Sequence, residues 1–304
     1  MKKVKLWRYI ILILILILII GLVVSALFPN LNKVNENQIL IIPIIGEISN
    51  SNSNSFLSSN TVSSESIIQS IEKAKETDNI KAVIFDINSP GGTVLASKEI
   101  ADAVKKLNKP NVALIRDVGA SGAYWIASSS NKIVADPLSI TGSIGVISSY
   151  LQFSDLLNKY GITYERLVSG VYKDAGTPYK ELTPEERNII QSKLDKIDQV
   201  FLNQVKINRN LKDIARIKTG EFFLGSEAKD LGLIDYLGNK DTAVEVAKNL
   251  SNIKEAKLVE FKEKKSILDA LTKLNANAFY YLGQGIGSQL YFDNKNQNLQ
   301  INAL

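Results

Sequence analysis

Apolar residues fall along this chain in three patterns, and each predicts a different element. The first is "YIILILILILIIGLVVSALF", Tyr9–Phe28, an uncharged run with no polar face. As a helix it would be roughly 30 Å long, the thickness of a bilayer's hydrocarbon core. Lys2, Lys3, Lys5 and Arg8 precede it and few basic residues follow closely, which predicts a cytoplasmic N-terminus and an extracytoplasmic remainder. "VSA" at Val24–Ala26 also fits the small-residue site at which a leader is removed, but the run is long for a leader. The expected organisation is a cytoplasmic stretch 1–8, a single-pass anchor 9–28, a linker 29–37, a folded domain 38–262 and a C-terminal tail 263–304.

The second pattern is the short apolar run of a buried strand. "QILIIPIIGEI" (Gln38–Ile48) predicts a strand pair interrupted near Pro43 and Gly46, followed by a Ser/Asn loop over 49–60. "KAVIFDI" (Lys81–Ile87), Val112–Asp117 and "NKIVADP" (Asn131–Pro137) predict further strands. "TGSIGVIS" (Thr141–Ser148) reads as loop then strand, and "ITYERLVS" (Ile162–Ser169) as a strand. The third pattern is helical periodicity, at Ser66–Lys75, about Leu95–Leu107, Ser154–Tyr160 and from "LTPEERNII" to about Asn208. In the last, Thr183 is placed as N-cap, Pro184 fits the first helical position and Glu186 completes a capping box. Strands alternate with helices, so the fold class is α/β with a largely parallel sheet.

Composition removes chemistry rather than adding it. The 304 residues are 45% hydrophobic and 22% charged, with a net charge of +5. The basic residues are spread along the chain without interleaved aromatics, so no nucleic-acid partner is expected. Cysteine and histidine are both absent, which excludes disulfides, thiolate catalysis and most zinc sites. No calcium-loop pattern occurs, and neither metal nor cofactor is expected.

Three stretches at predicted strand ends can carry chemistry, because open α/β sheets place ligands there. "NSPGG" (Asn88–Gly92) is a turn that can aim free N–H groups at an oxyanion, or an ordinary turn. "GASGAYWIAS" (Gly119–Ser128) sets Ser121 between small residues at a strand–helix junction, with the Gly122 N–H beside it. It is not the stronger G-x-S-x-G signature, and close packing alone would also use such residues. The third stretch, "SGVYKDAGTPYKELTPEE" (Ser169–Glu186), carries Lys173. A lysine serves as general base only as the neutral amine, which requires desolvation or nearby positive charge. If Ser121 is a nucleophile, its base is neither histidine nor cysteine, and lysine leads the remaining choices with carboxylates behind it. Thr141 or Ser143 could supply a hydroxyl to hold the amine.

Together these stretches resemble the signal peptide peptidase A family in its short, single-repeat bacterial form. The resemblance runs from about Ile39 to Leu250. It rests on "INSPGG", "ASGAYWIAS", "ITGSIGVI", "YKDAGTPYKELTPEE" and "TGEFFLGSEAKDLGLID" in the family's order, with Ser121 and Lys173 separated as in its dyad. It implies a Clp protease/crotonase-like fold, Ser121 as nucleophile, Lys173 as general base, Ser143 orienting the amine, and the N–H groups of Gly92 and Gly122 as oxyanion hole. It also implies a membrane-bound serine endopeptidase acting on remnant signal peptides and other hydrophobic segments. The short form is expected to be a homo-oligomer whose dyad is completed between subunits. Ala123 and Trp125 stand where glycine and tyrosine are more usual, which predicts a reshaped substrate groove. Lys180 stands where arginine is usual. Two other readings use the same fold: a crotonase-type acyl-CoA hydratase or isomerase, and a catalytically silent membrane scaffold.

Overall fold

The computed structural model describes residues 12–20, 36–50 and 61–261. The linker 29–37 except its last two residues, the Ser/Asn loop beyond Asn50 and the tail 263–304 lie outside the described residues. Residues 12–20 are helical, with their apolar side chains exposed. Among the described residues no helix is long and apolar enough to cross a membrane. The flanks of the expected span, 9–11 and 21–28, are outside them.

From Gln38 to Phe261 the chain builds a mixed sheet between two unequal helical layers. Strands β1 (Gln38–Ile45), β4 (Ile80–Ser89) and β5 (Asn111–Ala120) form its centre, and β6 (Lys132–Ala135), β9 (Tyr236–Leu237) and β10 (Lys257–Glu260) extend it. The order β10-β1-β4-β5-β6-β9 is parallel throughout. Alternation along each central strand sends side chains to opposite faces. Leu40, Ile42, Val83, Phe85, Ile87, Ala113 and Ile115 meet one helical layer, and Ile39, Ile41, Ala82, Ile84, Val112 and Leu114 meet the other. Both faces are covered, which is why these strands read as unbroken apolar runs.

The larger layer contains α1 (Ser64–Glu76), α2 (Val94–Lys106), α3 (Gly122–Ser128) and α5 (Pro184–Asn208). The smaller layer is α8 (Lys240–Ser251), which contributes Ala243, Val246 and Ala247. Short elements complete the chain order: β2 (Glu47–Ser49), β3 (Thr61–Ser63), β7 (Ile140–Gly142), α4 (Ser154–Lys159), α6 (Ile214–Ile217), β8 (Phe222–Leu224) and α7 (Gly225–Asp230).

Three local expectations are corrected. Pro43 does not interrupt its strand; it pairs with Asp86 inside β1, and the break comes only at Gly46. The tolerance has a physical reason: β10 pairs β1 only as far as Ile41, so one edge is free at Pro43, where no N–H is needed. In "TGSIGVIS" the order is reversed, with strand β7 first and no strand over 143–148. "ITYERLVS" forms no strand. Its β-favouring residues find no partner strand among the described residues, and Ile162 and Leu167 stay exposed. The long helix follows expectation at its start: the Thr183 side chain accepts from the Glu186 N–H, and the Glu186 carboxylate accepts from the Thr183 N–H.

Trp125 of α3 stacks on Phe201 of α5 with ring centroids 4.4 Å apart and planes 10° from parallel. Its indole N–H donates to Gln204. This contact joins the helix after Ser121 to the longest helix of the domain. Phe201→Ala is expected to lower unfolding free energy by about 3–5 kcal/mol, because it leaves a cavity under a buried indole. Urea denaturation followed by tryptophan fluorescence checks this.

Candidate active site

Two neighbouring strand ends build the site. At the end of β4, the Ser89 hydroxyl accepts the Gly91 N–H at 3.1 Å, closing the turn through Pro90. Gly91 has a φ of 106°, and the Ile48 N–H donates to its carbonyl at 2.8 Å. The Thr93 N–H in turn donates to Ile48 O at 2.9 Å. These two bonds make a parallel bridge between Ile48 and Gly92. In such a bridge the residue between the two bonding positions turns its own N–H and C=O the other way. The Gly92 N–H therefore points away from Ile48. A Cβ on Gly92 would sit 1.9 Å from Ile48 O, so no other residue fits that backbone.

At the end of β5 the strand leaves β6 after Ile115 and pairs instead with β7 through Val118–Ala120. The Ser121 N–H continues that pairing to Gly142 O at 2.9 Å, and the Ser121 carbonyl accepts the Trp125 N–H at 3.0 Å. Between these anchors Ser121 adopts φ 53°, ψ −125°. A β-substituted residue is rarely found there, and the surrounding hydrogen bonds enforce it. Although Ser121 occupies the N-cap of α3, its side chain makes no capping bond, so the hydroxyl is left for the cleft. Gly122 opens α3, and its N–H has no intrahelical acceptor. A Cβ on Gly122 would lie 2.2 Å from Ser97 Oγ and 3.4 Å from Gly92 N. The two strand ends thus approach backbone to backbone, and Gly92, Ser121 and Gly122 line the same cleft.

Ser143 reaches the same place from β7. Its φ is 48°, and its N–H donates to Glu221 O at 2.9 Å. Thr141, the alternative hydroxyl, is buried and donates to Gly119 O at 2.8 Å, which commits it to the sheet. A cleft of about 530 Å³ has Gly92, Ser121, Gly122 and Ser143 in its lining. Trp125 also lines it, whereas Ala123 is wholly buried behind it. The expected reshaping of the groove therefore falls to Trp125 alone.

Among known families, the model of Peptidase family S49 matches residues 103–254 and that of Clp protease matches residues 53–135. The "Putative protease MJ0651" of Methanocaldococcus jannaschii is 33% identical over 230 residues, covering 74% of this chain and 73% of that one. The "Putative signal peptide peptidase SppA" of Enterococcus faecium is 29% identical over 253 residues, covering 79% and 74%. The chain belongs to peptidase family S49. It is a serine peptidase of the SppA/protease 4 type, and the acyl-CoA hydratase reading falls away.

In this S49 peptidase the structure gathers Gly92, Ser121, Gly122 and Ser143 around one cleft and leaves Lys173 out of its lining. Lys173 is exposed on a turn, its N–H donating to Gly170 O at 2.9 Å. Around that turn Arg166 grips Asp174 through two bonds of 2.7 and 2.8 Å, and Lys180 holds Glu186 at 2.6 Å. Arg166 holds the Asp174 carboxyl below its usual range, and Lys180 does the same for Glu186, helped by the Thr183 N–H. Carboxylates lowered in the folded state contribute stability above their unfolded values and lose it as pH falls through the folded ones. The segment is therefore held at neutral pH and loses that hold as pH falls below the usual carboxylate range. Lys180 keeps an ion pair where arginine is more usual.

Gln191, Asp195, Asp198, Lys218 and Thr219 also line the cleft, and the sequence reading did not single them out. Burial, and then the neighbouring Asp195, push the Asp198 carboxyl up. Positions 191, 195 and 198 share one face of α5, but their polar character hides that face from a search for apolar periodicity.

Gly122→Ala is expected to cut kcat/KM for peptide hydrolysis by about 100-fold while circular dichroism stays native, because the added methyl displaces the turn against Ser97. Adding Ser97→Gly should restore part of the loss in the same assay, since it removes the atoms that the methyl meets.

Proposed function

We propose that this protein is a membrane-anchored serine endopeptidase that hydrolyses remnant signal peptides and other hydrophobic peptides with a Ser121–Lys173 dyad. The observation that carries the reading is the backbone of Ser121. A strained strand-to-helix turn that lifts a serine hydroxyl beside free N–H groups is the arrangement a nucleophile requires. Ser121 Oγ attacks the substrate carbonyl while the neutral amine of Lys173 takes its proton. The N–H groups of Gly92 and Gly122 receive the negative charge that develops on the carbonyl oxygen. Protonated Lys173 then gives the proton to the leaving amine, and a water molecule repeats the sequence on the acyl-enzyme. Ser143, in the wall of the same cleft, orients the lysine amine.

The base comes from a second copy of the chain. Two facts support this: Lys173 is outside the cleft of its own chain, and the segment leading to it exposes Leu151, Tyr160, Leu167 and Val171. Such a concentration of exposed apolar side chains marks a contact surface. The anchor reading is supported by the uncharged run Tyr9–Phe28 behind four basic residues.

Ser121→Ala and Lys173→Ala should each abolish peptide hydrolysis while assembly survives, and the double variant should be no worse than either. Mixing the two single variants should recover roughly one quarter of wild-type activity if the dyad is shared at random between neighbours. A fluorophosphonate should label Ser121, which a silent scaffold would not allow. Turnover by Lys173→Ala close to wild type would sink the base assignment.

The dyad also predicts the pH profile. Only the unprotonated amine can accept the serine proton, so kcat/KM for a short hydrophobic peptide ester should rise with pH through the neutral to alkaline range. No imidazole exists in this chain to produce such a limb near the histidine value. A flat profile between pH 5 and 9 would count against Lys173.

A further inference from the structure

Trp125 lies one helical turn after Ser121, and its N–H donates to the Ser121 carbonyl at 3.0 Å. A helical side chain leans back over the turn that precedes it. The indole therefore covers the opening turn of α3, the turn that begins at the serine, and it lines the cleft together with Ser121 and Gly122. It is 2% exposed, so only a margin of the ring meets the cleft. Behind that margin the ring is stopped on its face and at its edge. Phe201 stacks on the face with centroids 4.4 Å apart, and Gln204, one turn further along α5, accepts from the indole N–H. Phe201 is itself buried, so it has no free space to yield. On α2, Ser97 presses against the same opening turn. Its hydroxyl donates to Thr93 O at 2.9 Å, and that oxygen would lie 2.2 Å from a Cβ on Gly122. Ser97 is wholly buried and also lines the cleft. The turn that carries the nucleophile is thus backed by a small residue of α2 and a pinned indole.

We propose that Trp125 is a specificity-determining residue: its indole, unable to recede from Phe201 and Gln204, limits the residue that supplies the scissile carbonyl to small aliphatic side chains such as alanine and valine, and turns away aromatic ones. The inference rests on Ser121 being the nucleophile, and it gives the substrate reading an upper size. In the acyl-enzyme the carbonyl carbon is bonded to Ser121 Oγ, so the side chain one bond further along must find room beside the opening turn of α3. A close-packed wall accepts extra methylenes only by displacing its own side chains. Here the displaced group would be the residue whose N–H holds the Ser121 carbonyl. An oversized side chain therefore costs the transition state as well as the bound state, which is how a pocket discriminates in kcat/KM.

The test is kcat/KM of the full-length assembled protein on short peptide esters that differ only in the residue supplying the scissile carbonyl: alanine, valine, leucine or phenylalanine. The wild type should favour alanine over phenylalanine by about 100-fold, the discrimination that a misfit of a few methylenes supplies. Trp125→Phe removes one ring from the wall, and Trp125→Leu removes both. The alanine-to-phenylalanine ratio should fall to roughly 10 in the first and to about 1 in the second. The ratio is the informative quantity, because damage to the fold or to the Ser121 turn lowers every rate together. Rates that all fall in Trp125→Phe and Trp125→Leu with the ratio unchanged would show a purely structural tryptophan and overturn the inference. So would a wild type that accepts phenylalanine as well as alanine, which decides the matter even if neither variant assembles. Failure of the nucleophile assignment reads differently: Ser121→Ala would keep the wild-type rate on the alanine ester.

Discussion

The site depends on how closely two strand ends approach. The turn after β4 and the turn after β5 meet backbone to backbone at Gly91, where a Cβ would lie 2.8 Å from Gly122 N and 3.0 Å from Ala120 O. Gly92 and Gly122 are pressed against other neighbours, since a Cβ would lie 1.9 Å from Ile48 O at the first and 2.2 Å from Ser97 Oγ at the second. With that contact, Gly92 and Gly122 share one cleft with Ser121. Without it, Ser121 would sit on an ordinary junction. The spacing is set by the parallel register of β4 and β5, including the irregularity between Ile87 and Ser89 that aligns Ser89 with Gly119.

The strain at Ser121 is sustained by the same sheet. A non-glycine residue at φ 53°, ψ −125° carries a cost on the order of 1–3 kcal/mol and persists only when its surroundings over-determine it. Here β5 exchanges β6 for β7, so the strand remains paired up to Ala120 and the Ser121 N–H still finds an acceptor. Beyond the serine, Tyr124 donates its hydroxyl to Leu233 O at 2.8 Å and Trp125 packs on Phe201, so α3 is fixed from its first turn. The buried core on both faces of the central strands thus holds a conformation that the local sequence would not adopt by itself.

Features set by a few consecutive residues were legible in the sequence. The Thr183–Pro184–Glu186 start of α5 and the small-residue junctions at Gly92 and Ser121 are local, and their chemistry appears in the letters. Features that need a distant partner were not. Pro43 looked like a break because the free edge beyond Ile41 depends on where β10 ends, more than two hundred residues later. Ile162–Ser169 has the composition of a strand and finds no partner strand among the described residues. The polar face of α5 at Asp195 and Asp198 escaped because a cleft wall need not be apolar. Residue chemistry alone left Thr141 and Ser143 equal; the family resemblance chose Ser143, and in the fold the sheet takes the threonine hydroxyl.

On the proposed reading, assembly and activation are one event. Lys173 lies on an exposed turn, outside the cleft of its own chain. Desolvation must come from outside the chain, and the surface suited to supply it is the one that exposes Leu167, Val171 and Tyr172 beside Lys173. Burying those side chains against a neighbour would drive association through the apolar area removed from water. The same burial would withdraw water from the amine and favour its neutral form. An isolated chain would then hold a strained serine and its oxyanion donors without a competent base. Peptide hydrolysis would be confined to the assembled form by the same physics that assembles it.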